Sequence, residues 1–239
     1  MITPSPFKYF NTSPEVIRLA VMMYARFPLS LRNAEDLLRE RGIGVTHETI
    51  RFWWYRFGPL FATDILRKRV QQLRAFSKWL WHIDEDFVRV TGKQHYLRRA
   101  VDHEGEVLES YAAKRRNKAA ALKFLRKAIK QYGVADVIVA DRLRSYGAAL
   151  RGLDAESRQK TGCWLNNRAE NSHLPFRRRE RAMQRFWRMP SLRKFAFVHS
   201  SLRNLFNQER SLSSRDIFKT NRAAALVDVQ RQRQWDSLG

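Results

Sequence analysis

The chain has 239 residues, 44% of them hydrophobic, and carries 46 Lys and Arg against 23 Asp and Glu, a formal charge of +23. That apolar content supports a sizeable core and excludes a disordered chain, while the cationic excess calls for a polyanionic partner. No apolar run is long enough to cross a bilayer, and Met1–Pro6 lack the basic start and apolar segment of a signal peptide. The single cysteine, Cys163, excludes an internal disulfide and any zinc site with two or more thiolates. Together these features suggest a cytoplasmic, nucleoid-associated protein.

Residues 1–12 read as a loose arm. Ser13-Pro14-Glu15 predicts a helix start, with a capping hydroxyl, a first-turn proline and an acid on the helix dipole. This helix is expected to reach Phe27. A second helix carries Leu31, Ala34, Leu37 and Leu38 and ends at Gly42. Thr46 caps a third, with Ile50, Trp54 and Phe57 inward and His47, Glu48, Arg51 and Tyr55 outward; Gly58-Pro59 is expected to stop it before a further helix at about 60–74. Short helices around a glycine turn fit either a plain bundle or a helix-turn-helix, and the charge favours the second.

From Trp79 the period changes to two. Strands are predicted at 80–90, 94–101 and 106–113, with Asp102-His103-Glu104-Gly105 as a hairpin turn. Asn117 caps a helix closed by Gly133, and Val137–Ala140 reads as a short buried strand. A helix at 145–150, a last short strand at Trp164-Leu165, and helices at 167–184, 190–208 and 214–234 complete the pass. The tryptophans and the aromatics after Phe186 are read as core.

Three acids stand apart. Asp84 lies inside the first apolar strand, Asp141 follows the buried strand, and Glu170 opens a helix leading into the basic run Arg177-Arg178-Arg179-Glu180-Arg181. Carboxylates on two strands and one helix, in so cationic a chain, suit metal-assisted phosphodiester chemistry: magnesium takes hard oxygen ligands and keeps several waters. Each acid also has a plainer reading. Asp84 competes with Glu85 and Asp86, with Asp86 on its face and Glu85 opposite; Asp141 could cap a helix; Glu170 could pair with Arg177.

The segments Trp81-His82-Ile83-Asp84-Glu85, Tyr96 to Asp102, Arg115 to Ala120, Asp141 to Gly147 and Asn166 to His173 resemble, in order and separation, the DDE transposases of the bacterial IS-six insertion-sequence family, over roughly residues 7–210. The stretch between Asp141 and Glu170 is a few residues shorter than the family's commonest pattern.

The resemblance implies a mixed α/β, ribonuclease H-like core behind an N-terminal helix-turn-helix. It implies an arm at 1–12, a DNA-binding domain at 13–75, a catalytic domain at 76–210 and a helical tail at 211–239. Asp84, Asp141 and Glu170 would be catalytic and would hold two Mg2+ ions, with Mn2+ as a substitute. His47, Arg51, His173, Arg177, Arg178 and Arg181 would contact DNA. The partners would be the terminal inverted repeats and target DNA, handled by a homodimer or higher oligomer through strand transfer and cointegrate formation. Two other classes fit some of the same residues: a non-catalytic helix-turn-helix regulator, and a nuclease of the same fold without strand transfer.

Overall fold

The computed structural model describes residues 5–73, 80–140, 143–162, 166–183 and 186–206, with residues 215–216, 219–220 and 223–224 of the C-terminal stretch, all six of them helical. The chain opens with α1 (Pro14–Arg26), α2 (Leu31–Arg39) and α3 (His47–Leu73), followed by β1 (Leu80–Val90), β2 (Lys93–Val101) and β3 (Val107–Ala113). Then come α4 (Lys118–Tyr132), β4 (Val137–Ala140), α5 (Arg144–Arg151), β5 (Gln159–Lys160), α6 (Asn167–Ala182) and α7 (Met189–Leu205). The caps form where the sequence places them: Ser13, Thr46 and Asn117 accept from the backbone N–H groups of Val16, Thr49 and Ala120.

The sheet order is β3-β2-β1-β4-β5. The first three strands form an antiparallel meander, and β4 and β5 run parallel to β1. The turn between β2 and β3 is the predicted one: Asp102 Oδ1 accepts from the N–H groups of Glu104 and Glu106 at 3.0 and 2.9 Å.

Period-two alternation divides the two faces of β1. Trp81 and Ile83 point into a core made with α4 and α5. Val88 and Val90 point the other way, into a core with α6, α7 and the N-terminal helices. That second core is continuous from Ile17 through Phe57 to Phe195 and Leu202, so the N-terminal helices share their apolar interior with the sheet layer.

Three expectations change. Gly58-Pro59 does not end the third helix, which runs unbroken from His47 to Leu73 and absorbs the predicted 60–74 segment. Proline at 59 deprives the Tyr55 carbonyl of its helical donor; Lys194 of α7 donates to that carbonyl instead, at 3.4 Å. A Cβ at Gly58 would meet the Trp54 ring at 3.4 Å and Val198 at 3.6 Å, ordinary contact distances, so the helix accepts this position without strain. The arm is docked rather than loose over its described part: Phe7 is buried and stacks on Phe57 at 4.8 Å between ring centroids. The fifth strand is Gln159–Lys160, paired with β4; the predicted strand at Trp164-Leu165 lies outside the described residues, as do Cys163, most of 211–239 and Asp141.

Candidate active site

Among the described residues β1 pairs with β4 as far as Ile83 opposite Ala140. The next residue on β1 is Asp84, on the face turned toward α6. α6 is held there by Asn166 Nδ2, which donates to the Ile83 carbonyl at 3.0 Å, and farther along by Glu180, which accepts from the Arg89 backbone N–H. Fourteen residues of helix rise about 21 Å, and six residues of strand span about 20 Å, so helix and strand keep pace. Glu170 lies one turn beyond Asn166, about 6 Å, which brings it to the level of Asp84. Its carboxylate is exposed. The helix passes through Pro175 without a break, so Glu170, His173 and Arg177 share one face.

Asp86 joins this face. It is 3% exposed and takes both ends of the Arg177 guanidinium, Nε at 2.7 Å and Nη2 at 2.6 Å. A two-pronged arginine–carboxylate contact fixes orientation as well as charge, and the bond to Asp86 holds the Arg177 pKa up. Arg177 therefore pairs with Asp86 and not with Glu170, and its side chain stays 49% exposed.

His173, read either as a DNA contact or as a packing residue, is 1% exposed, with Nε2 3.5 Å from Asp84 Oδ2 and Nδ1 3.7 Å from Asp86 Oδ2. Burial, reinforced by Arg99, Arg177 and Arg203, holds its pKa well below the ordinary histidine value, so the ring is neutral at pH 7. Arg99, paired across the strands with Asp84, is fully buried; it donates to the Ser172 carbonyl at 2.5 Å and stacks over Phe176. Desolvation lowers its pKa to about 9. Glu85 faces the other way and is clamped by Arg98 at 2.6 Å and Arg116 at 2.5 Å.

The basic run after Glu170 splits by helical phase. Arg178 and Arg181 are exposed, whereas Arg179 is buried and donates to the Tyr24 carbonyl at 2.8 Å, tying α6 to α1. On α3, Arg51 is exposed beside Glu48. His47 is less available than expected: its backbone N–H and Nδ1 both contact Glu35 Oε2, at 2.9 and 2.8 Å, which fixes the α2–α3 turn. Alternation along β1 already put Asp86 on the face of Asp84; the position of Arg99 beside the site carried no signal in the sequence and follows from the β1–β2 register.

The residues present fit a divalent cation chemically. Asp84 and Glu170 offer hard oxygen ligands at one level, and Asp86 takes up the guanidinium nearest them. Among the described residues no group of three His, Cys, Asp or Glu is close enough to hold a metal; Asp141, one residue beyond Ala140, is outside that set.

A mixed sheet in this order, with an acid on the central strand and another on a helix that runs along it, defines a ribonuclease H-like fold. A family model described as a DDE domain matches residues 78–209. The chain is 33% identical over 172 residues to the transposase for insertion sequence-like element IS431mec of Staphylococcus aureus, covering 70% of this chain and 75% of that protein. The figures are the same for the transposase of IS257 in transposon Tn4003. The chain belongs to the DDE transposases of the IS-six family. Among solved structures, the HTLV-2 integrase catalytic core domain in complex with magnesium aligns at 15% identity and a TM-score of 0.41, over 60% of this chain and 97% of that one. The BIV integrase catalytic core domain aligns at 16% and 0.39, over 66% and 99%.

Proposed function

We propose that the protein binds the terminal inverted repeats of its own element, nicks the ends, and joins the freed 3′-hydroxyls to target DNA, forming cointegrates. The observation that carries this reading is the matched run of α6 along β1, with the Glu170 helix face against Asp84 where β4 ends. Asp84, Asp141 and Glu170 would hold two Mg2+ ions, or Mn2+. Bound there, the ions would activate the attacking oxygen and neutralise charge on the leaving oxygen.

The chain's own groups do the rest. Asp86 steadies Arg177, whose exposed N–H groups are left to meet a phosphate beside the reacting one. Arg178 and Arg181 extend that contact along the backbone, supplying sequence-independent affinity. His173, neutral and buried, fills the space between Asp84 and Asp86 and keeps water out of it. The helix-turn-helix reading assigns repeat recognition to the exposed side of α3, with Arg51 as its cation and His47 bracing the turn. Pairing two ends calls for at least a dimer.

The test is substitution of each acid by its amide: Asp84→Asn, Asp141→Asn and Glu170→Gln. Each is expected to abolish magnesium-dependent cleavage and strand transfer while repeat-end binding, read by gel shift, persists. Transfer retained by any variant removes that residue from the site. Cleavage with no joined product would favour the nuclease reading.

A further inference from the structure

Between the end of its pairing with β4 at Ile83 and the bridge from Val90 to Phe186, one edge of β1 carries no neighbouring strand among the described residues. Asp84 stands at the start of this stretch. Three residues on, about 10 Å along the strand and on the opposite face, Phe87 holds its ring 53% exposed. Among the described residues six large aromatics are exposed, and Phe87 is the one carried on the sheet, so a ring this near the reacting acids is open to a partner.

Its surroundings narrow the choice. Tyr96, the cross-strand neighbour, packs edge-on against Phe87 at 5.6 Å and leaves the outer side of the ring open. The Arg116 guanidinium lies 5.9 Å from the ring centroid, and Arg89 is exposed on the same face. The nearest acid on that face, Glu85, is buried between Arg98 and Arg116. The patch is therefore an aromatic surface with a cationic rim. An added peptide strand is disfavoured, because the edge N–H groups of Phe87 and Arg89 are already taken by the carboxylates of Asp86 and Glu180. A second copy of a chain with charge +23 would bring like charge to a basic rim. A nucleic-acid strand meets both the ring and the cations.

We propose that Phe87 is a stacking platform for a nucleobase of the DNA end, a few nucleotides from the phosphate held at Asp84. The inference rests on the transposition reading for the identity of that DNA. Ten ångström along β1 is about three steps of a strand whose charges repeat every 3.4 Å, and rounding the open edge of β1 to the other face adds to that path, so the stacked base lies several nucleotides from the cleaved bond. Arg116 and Arg89 would meet the flanking phosphates.

The test uses the full chain and duplexes of one element end, with 5-iodouracil substituted singly at successive positions around the cleavage point. Long-wavelength irradiation joins iodouracil to an aromatic ring stacked on it. The expected result is a crosslink mapped by mass spectrometry to Phe87, from one or two adjacent positions only. Phe87→Leu keeps apolar bulk without the ring; it should remove the crosslink and weaken end binding about tenfold, and Phe87→Tyr should restore both. Unchanged binding and crosslinking in Phe87→Leu, or crosslinks that map elsewhere, would overturn the proposal. So would a dimer, seen by sedimentation without DNA, that Phe87→Leu dissociates, because the surface would then belong to a second copy. A wild-type protein that stacks the base but never cleaves would count against the transposition reading and not against this one.

Discussion

Asp84 and Glu85 are adjacent, share a charge and lie on opposite faces of β1, so their substitutions should separate function from stability. Glu85 is clamped between Arg98, which is wholly buried, and Arg116, which is 39% exposed. Glu85→Ala leaves the Arg98 guanidinium buried without its counter-ion, a change that costs about 3–5 kcal/mol. For a chain of this size each kcal/mol lowers Tm by about 2–4 °C, so the expected fall is about 6–20 °C. Arg116→Ala removes only the solvent-screened partner and should cost under about 1 kcal/mol. The double change Glu85→Leu with Arg98→Met removes both buried charges and should recover most of the loss. Asp84→Asn should leave Tm within a few degrees of wild type and abolish cleavage. Thermal and guanidinium unfolding, followed by circular dichroism, provide the assay. A Glu85→Ala loss below about 1 kcal/mol, or a double variant no better than the single one, would refute the reasoning.

Arg181→Ala should weaken DNA binding across all sequences and reduce the log–log salt slope by about 0.9, measured by titrations at several salt concentrations; Arg179→Ala should leave that slope alone and lower Tm. His199 is buried between Phe176 and Phe195, and burial keeps its pKa well below the ordinary value. The unfolded chain therefore takes up a proton that the fold refuses, and stability should fall as pH drops below about 6.5, by at most about 1.4 kcal/mol per pH unit for this group. His199→Phe should flatten that slope in urea melts between pH 5 and 7. Lys194→Met removes the donor to the Tyr55 carbonyl and should cost about 1 kcal/mol, with Tm as the readout.

Where a rule concerns neighbours in the chain, sequence reading succeeded. The alternation along β1, the caps at Ser13, Thr46 and Asn117, and the turn at Asp102 all depend on residues within a few positions, and each formed as expected. The failures share a different cause. Gly58-Pro59 looked like a stop because the residue that compensates it, Lys194, lies far along the chain. Gln159–Lys160 is too short and too polar to show a period, and it becomes a strand only because β4 lies beside it. Arg179 looked like a member of a solvent-facing basic tract, yet helical phase carries it to the inner side with Ser172 and Phe176. At the site, Asp84 and Glu170 could be proposed from sequence, while Arg99 and the Asp86–Arg177 pair needed the sheet register and the path of α6.

The interior shared by the N-terminal helices and the sheet layer bears on how such proteins can be re-engineered. In a modular DNA-processing enzyme, a new recognition element can be grafted across a linker. Here α3 reaches from the α2 turn to Arg69, which pairs with Asp102 and Glu106 at the β2–β3 hairpin, and Trp54 packs on Phe195 of α7. A graft that replaced α1 to α3 alone would present a foreign surface to α7 and to that hairpin. On the proposed assignment of repeat recognition to α3, retargeting would need either point changes confined to the outer side of α3, or exchange of α1, α3 and α7 as one block.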